Sequence, residues 1–478
     1  MEEPGKTTLT GEPPQQHDWW SLIPILAGLF WLGAGGGSYG WLLFGFVPGS
    51  LILASGVSLL LWPGDPKITF YMSLGSVIGL FAWVPEILFG GWLGPIALLV
   101  SIATFLASGR IALKYAPRAD GAPLPPATLP VFAKVALDET LIGFFVAMAK
   151  IPSGDRASIM CDEAHRLQDT LQAGGWIDDP ASFHQAPPPP EDARLQAASF
   201  AGHAFQWLRF SSGFVPNAKL PGAMLWASHQ RNRDCHARVF RHGAPGKPWL
   251  LCIHGYRMGL SVMDVPLFSP GLLHHKLGLN LVMPVLPLHG PRRIGVMSGD
   301  LYLDGDLLDL LHAETQALWD LRRTIAWIRA QEPDARIGVL GYSLGGYNTA
   351  LLAGYEPGLE FAVAGIPVCD LASMLWGLVP PPHRNYFMSQ GLDLAHYVNM
   401  LKVVSPLVRP PLLPPERLHI FAGSADRVVP PEEPLKLSRH WKRPVVWYPG
   451  GHLTFRGERS VERCIESAIS GAGWNSAR

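Results

Sequence analysis

The sequence predicts an α/β fold, with a mostly parallel sheet and helices on both faces, preceded by an N-terminal helical membrane domain. Over the C-terminal half, short apolar runs alternate with helical patterns, as expected of successive βα units. Residues 19–109, by contrast, contain three charged side chains, Asp65, Lys67 and Glu86, which is far below the charge density of a soluble domain. A chain of 478 residues is long enough for a large α/β core and a second domain.

Composition divides the chain into four regions. We assign residues 1–18 to a polar tail, 19–109 to the membrane domain, 110–200 to a helical and proline-rich connector, and 201–478 to the α/β domain. Within the connector, Val131 to Lys150 is predicted to form an apolar-rich helix, and Pro187 to Pro190 a stiff spacer. An insertion at 371–415 is rich in Pro, Leu and Met. It is expected to be either a cap over the site or plain core packing.

The apolar region predicts about four membrane spans. As one helix, residues 19–62 would be about 66 Å long, twice the roughly 30 Å of a bilayer's hydrocarbon core, so two spans are expected with a break at residues 33–40. Residues 68–108 are expected to break near Pro85-Glu86, and the span before that break is the weakest. The alternative is a buried helical hairpin in a soluble protein.

Basic residues predict the orientation. Arg110, Lys114 and Arg118 follow the last predicted span, which favours a cytoplasmic α/β domain on a bacterial cytoplasmic membrane. Four spans would place the N-terminus on the same side, and three would place it on the other. The acidic start of the chain, with Glu2 and Glu3, argues against a cleaved signal peptide.

The α/β domain contains a regular series of predicted elements. Helices are expected near 263–276 and at 305–330. Strands are expected at 205–210, 223–226, 236–241, 249–253, 280–286, 336–340, 361–368, 418–423 and 445–448.

Gly341-Tyr342-Ser343-Leu344-Gly345 matches the G-x-S-x-G pattern of a nucleophile elbow. An apolar run leads into it and small residues suited to starting a helix follow, so a strand, a sharp turn and a helix are expected. The glycines are needed because a Cβ on either side of the turn would clash with neighbouring backbone. Gly36-Gly37-Ser38-Tyr39-Gly40 also matches the pattern, but no strand precedes it. We therefore interpret the segment around Ser38 as a glycine-rich turn.

Candidate partners of Ser343 follow later strands in the order serine, acid, histidine. Asp426 comes after the strand 418–423, and His452 comes after the strand 445–448. A histidine is needed to take the serine proton, and a carboxylate to hold the imidazole. Asp426 could instead begin a turn, and His452 could be a surface loop residue. Asp370, after the strand 361–368, is the competing acid.

From about residue 201 to the C-terminus, the chain resembles the α/β-hydrolase superfamily. It is most similar to uncharacterised bacterial members with a Leu286-Pro287-Leu288-His289-Gly290-Pro291-Arg292-type segment after the strand 280–286. The resemblance implies Ser343 as nucleophile, His452 as general base and Asp426 as the group that orients it. It also implies an oxyanion hole formed by the backbone amides of Leu344 and Tyr256.

The residues around this predicted hole differ from the lipase and esterase HGGG pattern. His254-Gly255 is followed by Tyr256-Arg257, so the second amide donor is less clearly defined than the triad. We expect His254 to pack beside the site. His289 and Arg292 are expected to shape their loop, with substrate binding as the alternative.

Together these features predict a membrane-anchored serine hydrolase that cleaves an ester, thioester or related acyl bond through an acyl-enzyme. The alternatives are an acyltransferase with the same triad and a non-catalytic scaffold. The expected partners are a small-molecule or lipid-like acyl substrate and the lipid bilayer. The formal net charge is zero and there is no basic run, so nucleic acid is not expected as a partner. No cofactor or metal is expected, because the sequence contains no phosphate loop or metal motif. Five scattered cysteines favour a reducing compartment.

Overall fold

The computed structural model describes residues 18–34, 44–63, 67–90 and 93–474, and the predicted turn around Ser38 lies outside them. The chain divides into two compact units. The first comprises the chain up to Ala147 together with two short loops, Ser424–Val428 and Pro449–Thr454. The second comprises Met148–Gly423, Val429–Tyr448 and the chain from Phe455 onwards.

The first unit is helical. The predicted break near Pro85-Glu86 is wrong, because the third helix continues to Gly90. A proline removes one helical hydrogen bond, and this helix continues through that loss. The fifth helix corresponds to the one predicted at Val131 to Lys150. The helices are α1 Leu22–Ala34, α2 Phe46–Leu61, α3 Ile68–Gly90, α4 Leu93–Tyr115 and α5 Leu129–Met148.

By length and composition, one helix among the described residues could cross a membrane, α4. Shorter apolar helical stretches occupy residues 19–34, 46–61 and 68–82, the last of these being the first part of α3. Because α4 extends to Tyr115, Arg110 and Lys114 lie within its last turns.

Small residues lie where these helices touch. A Cβ added at Gly28 would meet Leu53 and one at Gly56 would meet Ile25, so α1 and α2 run antiparallel at backbone contact. Between α1 and α4, the Trp31 indole donates a hydrogen bond to the Ser101 hydroxyl at 3.2 Å. Large apolar side chains point outwards from the same helices. Leu26, Phe81 and Leu99 are 68%, 77% and 65% exposed.

The second unit is built on a nine-stranded sheet with the order β1-β2-β3-β5-β4-β6-β7-β8-β9. The pairs from β1 to β5 are antiparallel, and those from β5 through β4 to β9 are parallel. The strands are β1 Arg194–Phe200, β2 His203–Ser211, β3 Asp234–Phe240, β4 Trp249–Ile253, β5 Asn280–Pro284, β6 Ile337–Tyr342, β7 Leu359–Gly365, β8 Leu418–Gly423 and β9 Val445–Tyr448.

One predicted strand is wrong, because residues 223–226 lie in a helix. Gly222 has φ 76° and turns the chain just before it, and Ala, Met and Leu then favour a helix. The Trp226 indole donates to the Gln316 side chain at 2.7 Å, which holds this helix in place. The helices of the second unit are α6 Asp155–Ala173, α7 Ala223–Ser228, α8 Ser261–Phe268, α9 Asp309–Gln331, α10 Leu344–Tyr355, α11 Leu371–Leu378, α12 Pro381–Ser389, α13 Leu394–Leu401, α14 Glu432–Trp441 and α15 Arg459–Gly471.

The insertion at 371–415 contains α11, α12 and α13. It buries three aromatic side chains, those of Trp376, Phe387 and Tyr397. The ring centroids of Phe387 and Tyr397 lie 6.4 Å and 6.3 Å from that of Trp376. These three rings pack together, and the role of the insertion as a cap over the site stays a prediction.

The parallel strands end at one edge of the sheet, and the G-x-S-x-G turn joins β6, in the middle of that sheet, to α10. A mostly parallel sheet with this turn after a central strand is the α/β-hydrolase arrangement. The chain therefore has the α/β-hydrolase fold that the sequence predicts.

Candidate active site

Ser343 occupies the turn between β6 and α10 with a strained backbone. Its φ and ψ are 58° and −117°, a backbone conformation that residues other than glycine rarely adopt. The Ser343 N–H donates to the Gly365 carbonyl of β7 at 2.9 Å, and the Ser343 carbonyl accepts from the Tyr347 N–H at 2.9 Å. The neighbouring strand and the new helix therefore hold the turn from both sides, as a nucleophile elbow requires.

Close backbone contacts explain the glycines of the elbow. A Cβ at Gly341 would collide with the carbonyl oxygen of Gly345, and one at Gly345 would collide with the carbonyl oxygen of Ile253 in β4. A Cβ at Gly346 would lie 2.8 Å from the Gly365 carbonyl oxygen. The first turn of α10 is thus packed directly on the sheet.

The two predicted oxyanion donors belong to segments next to this turn. Leu344 is the first residue of α10, where a backbone N–H has no carbonyl partner within the helix. Tyr256 follows β4 by way of Gly255, and a Cβ added at Gly255 would lie 3.5 Å from the Ser343 Cβ. The segment that carries Tyr256 therefore runs beside the elbow. The roles of these two amides remain predictions.

His254 is fully engaged by backbone groups. Its Nδ1 donates to the Gly255 carbonyl at 2.8 Å, and its Nε2 accepts from the Leu286 N–H at 3.1 Å. Burial lowers the pKa of His254 and keeps the ring neutral. The structure therefore agrees with a packing role beside the elbow.

His289 and Arg292 shape the loop after β5. The His289 Nδ1 donates to the Pro287 carbonyl at 2.8 Å, and its Nε2 accepts from the Arg257 N–H at 3.3 Å. The Arg292 guanidinium is fully buried and donates to the Val285 carbonyl at 2.9 Å, the Asn232 carbonyl at 3.0 Å and the Asp320 carboxylate at 2.7 Å. These bonds are the loop-shaping role that the sequence predicts.

Asp426 and His452 form a buried pair in the first unit. Asp426 lies three residues beyond β8 and His452 four residues beyond β9. The His452 Nδ1 donates to the Asp426 Oδ2 at 2.7 Å, and the two residues are 5% and 2% exposed. With Nδ1 carrying the hydrogen, Nε2 is the ring nitrogen with a lone pair for proton transfer.

The electrostatic surroundings of His452 favour its charged form. Burial by itself lowers the pKa of His452, but the charge and hydrogen bond of Asp426 outweigh burial, and the charge of Asp138 adds to them. The net pKa lies above the ordinary imidazole value. The surroundings thus stabilise the imidazolium that proton transfer would create.

The competing acid Asp370 is engaged elsewhere. Its carboxylate caps α11 by accepting the Ser373 N–H at 3.0 Å, and it pairs with the Lys436 ammonium at 2.9 Å. Asp426 is therefore the candidate acid that bonds His452.

Sequence reasoning missed Asp138 and Glu139. Both are fully buried side chains on α5. Asp138 accepts the backbone N–H of His452 at 2.7 Å, and Glu139 accepts from the Arg427 side chain at 2.9 Å. The available signal was that these two adjacent acids interrupt the apolar-rich helix predicted at Val131 to Lys150.

No site for a metal ion is apparent in residues 18–34, 44–63, 67–90 and 93–474, where no group of three or more His, Cys, Asp or Glu side chains is arranged to hold one. The five cysteines are buried free thiols.

The chain is similar to two proteins of Mycobacterium tuberculosis. It is 40% identical over 304 residues to the uncharacterised protein MT2702 of strain CDC 1551 / Oshkosh, covering 63% of this chain and 72% of that protein. It is 40% identical over 303 residues to the uncharacterised protein Rv2627c of strain ATCC 25618 / H37Rv, covering 62% and 72%. This chain, which has the α/β-hydrolase fold, belongs to the family of these two proteins.

No protein-family model matches the chain. Among solved structures it is similar to acetyl xylan esterase 1 from Thermoanaerobacterium sp. JW/SL YS485, with a TM-score of 0.41 and 17% identity over 68% of this chain and 97% of that one. It is also similar to the acetyl xylan esterase from Paenibacillus sp. R4, with a TM-score of 0.42 and 14% identity over 68% and 98%.

Proposed function

We propose that this chain is a serine hydrolase that cleaves an ester, thioester or related acyl bond, with Ser343 as nucleophile, His452 as general base and Asp426 as the orienting acid. The observation that carries the proposal is the strained backbone of Ser343, at φ 58°, between a central strand and a glycine-rich helix start. Such strain persists only where the surrounding structure enforces it, and it is typical of functional sites.

The proposed reaction has two halves. The His452 Nε2 takes the Ser343 hydroxyl proton while the serine oxygen bonds the substrate carbonyl carbon, and the carbonyl electrons move onto oxygen. The N–H groups of Leu344 and Tyr256 donate to this oxyanion. When this tetrahedral intermediate collapses, the carbonyl re-forms and the bond to the alcohol or thiol breaks, and His452 donates the proton to that leaving group. Water then repeats the sequence on the acyl-enzyme and releases the acid.

A fluorophosphonate probe tests the nucleophile. Wild-type protein should be labelled once per chain, and Ser343→Ala should not be labelled. Ser38→Ala is the matched control, because Ser38 lies in the second G-x-S-x-G match and should leave labelling unchanged. An unlabelled wild type, or equal labelling of Ser343→Ala, would remove the proposal.

We also propose that the helical unit attaches the enzyme to a membrane. Glycines at helix contacts, the Trp31–Ser101 hydrogen bond and outward-facing apolar side chains support this proposal, since membrane helices pack through small and polar residues. A lipid-like acyl substrate is consistent with that location.

An ion pair supports an even number of crossings. The Asp18 carboxylate, just before α1, pairs with Arg110 at 2.6 Å and Lys114 at 3.1 Å near the end of α4. Both ends of the helical region on one side of the membrane would account for this pair, and Arg110 and Lys114 favour the cytoplasm for that side. Reporter fusions at residue 18 and after Arg118 should both report cytoplasm. An external signal after Arg118 would overturn the orientation, and an external signal at residue 18 alone would mean an odd number of crossings.

A further inference from the structure

Asp138 is a buried carboxylate that binds the backbone of both loops carrying the proposed acid and base. Its Oδ2 accepts the His452 N–H at 2.7 Å and the Arg427 N–H at 3.1 Å. Its Oδ1 faces the Leu453 N–H at 3.4 Å. Hydrogen bonds from backbone amides to a carboxylate are among the stronger ones in proteins, and here they join α5 to loops about 290 and 315 residues further along the chain.

The loop that carries His452, Pro449–Thr454, is called here the histidine loop, and it packs closely against this carboxylate. A Cβ added at Gly451 would lie 2.5 Å from the Asp138 Oδ2 and 2.8 Å from its Cγ, so a side chain at that position would push the loop away. The Gly450 carbonyl accepts the Ala425 N–H at 3.1 Å. This bond joins the histidine loop directly to the loop that carries Asp426, Ser424–Val428, called here the acid loop. The two loops and Asp138 therefore form one packed group.

The neighbouring acid extends this group into the helices. Glu139 accepts from the Arg427 Nε at 2.9 Å through one oxygen and from the Thr69 hydroxyl of α3 at 2.5 Å through the other. On α3, the Ser73 hydroxyl donates to the Ala136 carbonyl of α5 at 2.7 Å. A continuous series of hydrogen bonds thus runs from α3 through α5 to the residue beside Asp426.

The charges around His452 follow from the same arrangement. The titratable and charged groups facing it are Asp426 from the loop after β8 and Asp138 from α5, with the Arg427–Glu139 pair beside them. Burial raises the pKa of Asp138, and the charge of Asp426 raises it further. Burying a second acid beside a buried carboxylate costs free energy. An apolar side chain at this position would avoid that cost, but it would leave the loop amides without an acceptor.

We infer that Asp138 is a positioning residue of the catalytic centre, which holds the acid and histidine loops so that Asp426 and His452 meet in the reactive tautomer. The inference rests on the proposed function, and it makes α5, a helix of the N-terminal unit, necessary for turnover. Deleting the carboxylate leaves the His452 and Arg427 amides without their acceptor, so the loops should move. A misplacement of about 1 Å can cost about 100-fold in rate.

The test compares Asp138→Ala and Asp138→Asn in the full-length, detergent-solubilised protein, using a chromogenic acyl ester. Active chains are counted by titration with a fluorophosphonate. We expect Asp138→Ala to lower kcat per titrated site by about 100-fold with KM changed little. Asp138→Asn should recover most of the rate, because its amide oxygen can still accept the two N–H groups. Asp169→Asn, which removes an exposed acid from α6, is the matched control and should behave like wild type.

Two results would overturn the inference while the proposed function stands. One is an Asp138→Ala variant that turns over at the wild-type rate per titrated site. The other is that Asp138→Ala and Asp138→Asn lose titratable sites to the same extent while the remaining sites keep the wild-type rate. That result would indicate a role in folding alone. A wild type that is neither labelled nor active would instead remove the proposed function, so the two failures are distinguishable.

Discussion

Asp426→Asn separates the proposed acid from its competitor Asp370. The Asp426–His452 bond is 2.7 Å long and joins two buried side chains, so solvent cannot replace it. If the asparagine turns its amide nitrogen toward His452, Nδ1 of the ring becomes the acceptor of that N–H and the ring hydrogen moves to Nε2. A protonated Nε2 cannot take the serine proton. In serine triads this change lowers kcat by about 10⁴-fold. At about 1.36 kcal/mol per decade, that loss is about 5.4 kcal/mol of activation free energy.

The assay is steady-state hydrolysis of an acyl ester, normalised to sites titrated with fluorophosphonate. Asp370→Asn is the matched control, because it keeps an oxygen to cap α11 and loses only the charge paired with Lys436. That partly exposed ion pair contributes about 0–1 kcal/mol of stability, so turnover should remain close to wild type. The reasoning is refuted if Asp426→Asn keeps more than about a tenth of the wild-type rate, or if Asp370→Asn is the variant that abolishes it.

Three further outcomes are expected. Gly451→Ala should lower kcat, because the new Cβ would lie 2.5 Å from the Asp138 carboxylate. Gly471→Ala is the control and should leave kcat unchanged, because no neighbouring atom lies within 4 Å of its new Cβ. Equal rates for the two variants would contradict the loop packing. The pKa of His452 is raised, so kcat/KM should fall on the acid side with a midpoint above the ordinary imidazole pKa of about 6.5. Activity is lost there because the ring becomes protonated as pH falls. A midpoint below that value, in a profile measured over about pH 5–9, would contradict the assigned surroundings. Gly345→Ala should lose titratable sites and unfold at a lower temperature in a thermal melt, because its Cβ would collide with the Ile253 carbonyl; a wild-type melting temperature would show that the helix start is less tightly packed.

The errors of the sequence analysis have local causes. Residues 223–226 are short and apolar, and a run of that length does not distinguish a strand from a helix turn. The turn at Gly222 and the hydrogen bond from Trp226 to Gln316 decide for the helix. Near Pro85, the usual helix-breaking tendency of proline predicts a boundary, yet α3 continues to Gly90.

The strands at 418–423 and 445–448, the elbow at Ser343 and the chain order of Asp426 and His452 could be read from the sequence. Each depends on neighbours within a few residues, such as an apolar run followed by a glycine or a turn. The bond between Asp426 and His452 was foreseeable because parallel strands end at one edge of a sheet. The strain at Ser343 was foreseeable because the glycines around it allow a close backbone approach.

The contribution of Asp138 could be decided only by the tertiary structure. In the sequence it is an acid in an apolar helix, more than 280 residues before the loops it binds. Nothing local distinguishes a carboxylate facing solvent from one that accepts backbone amides of distant loops, because the difference lies in which N–H groups the fold delivers to it. For the same reason, sequence reasoning about Asp370 remained open until its partners Ser373 and Lys436 were known. Local patterns determine the elements and the order of the reactive residues, and long-range packing determines which buried charges meet.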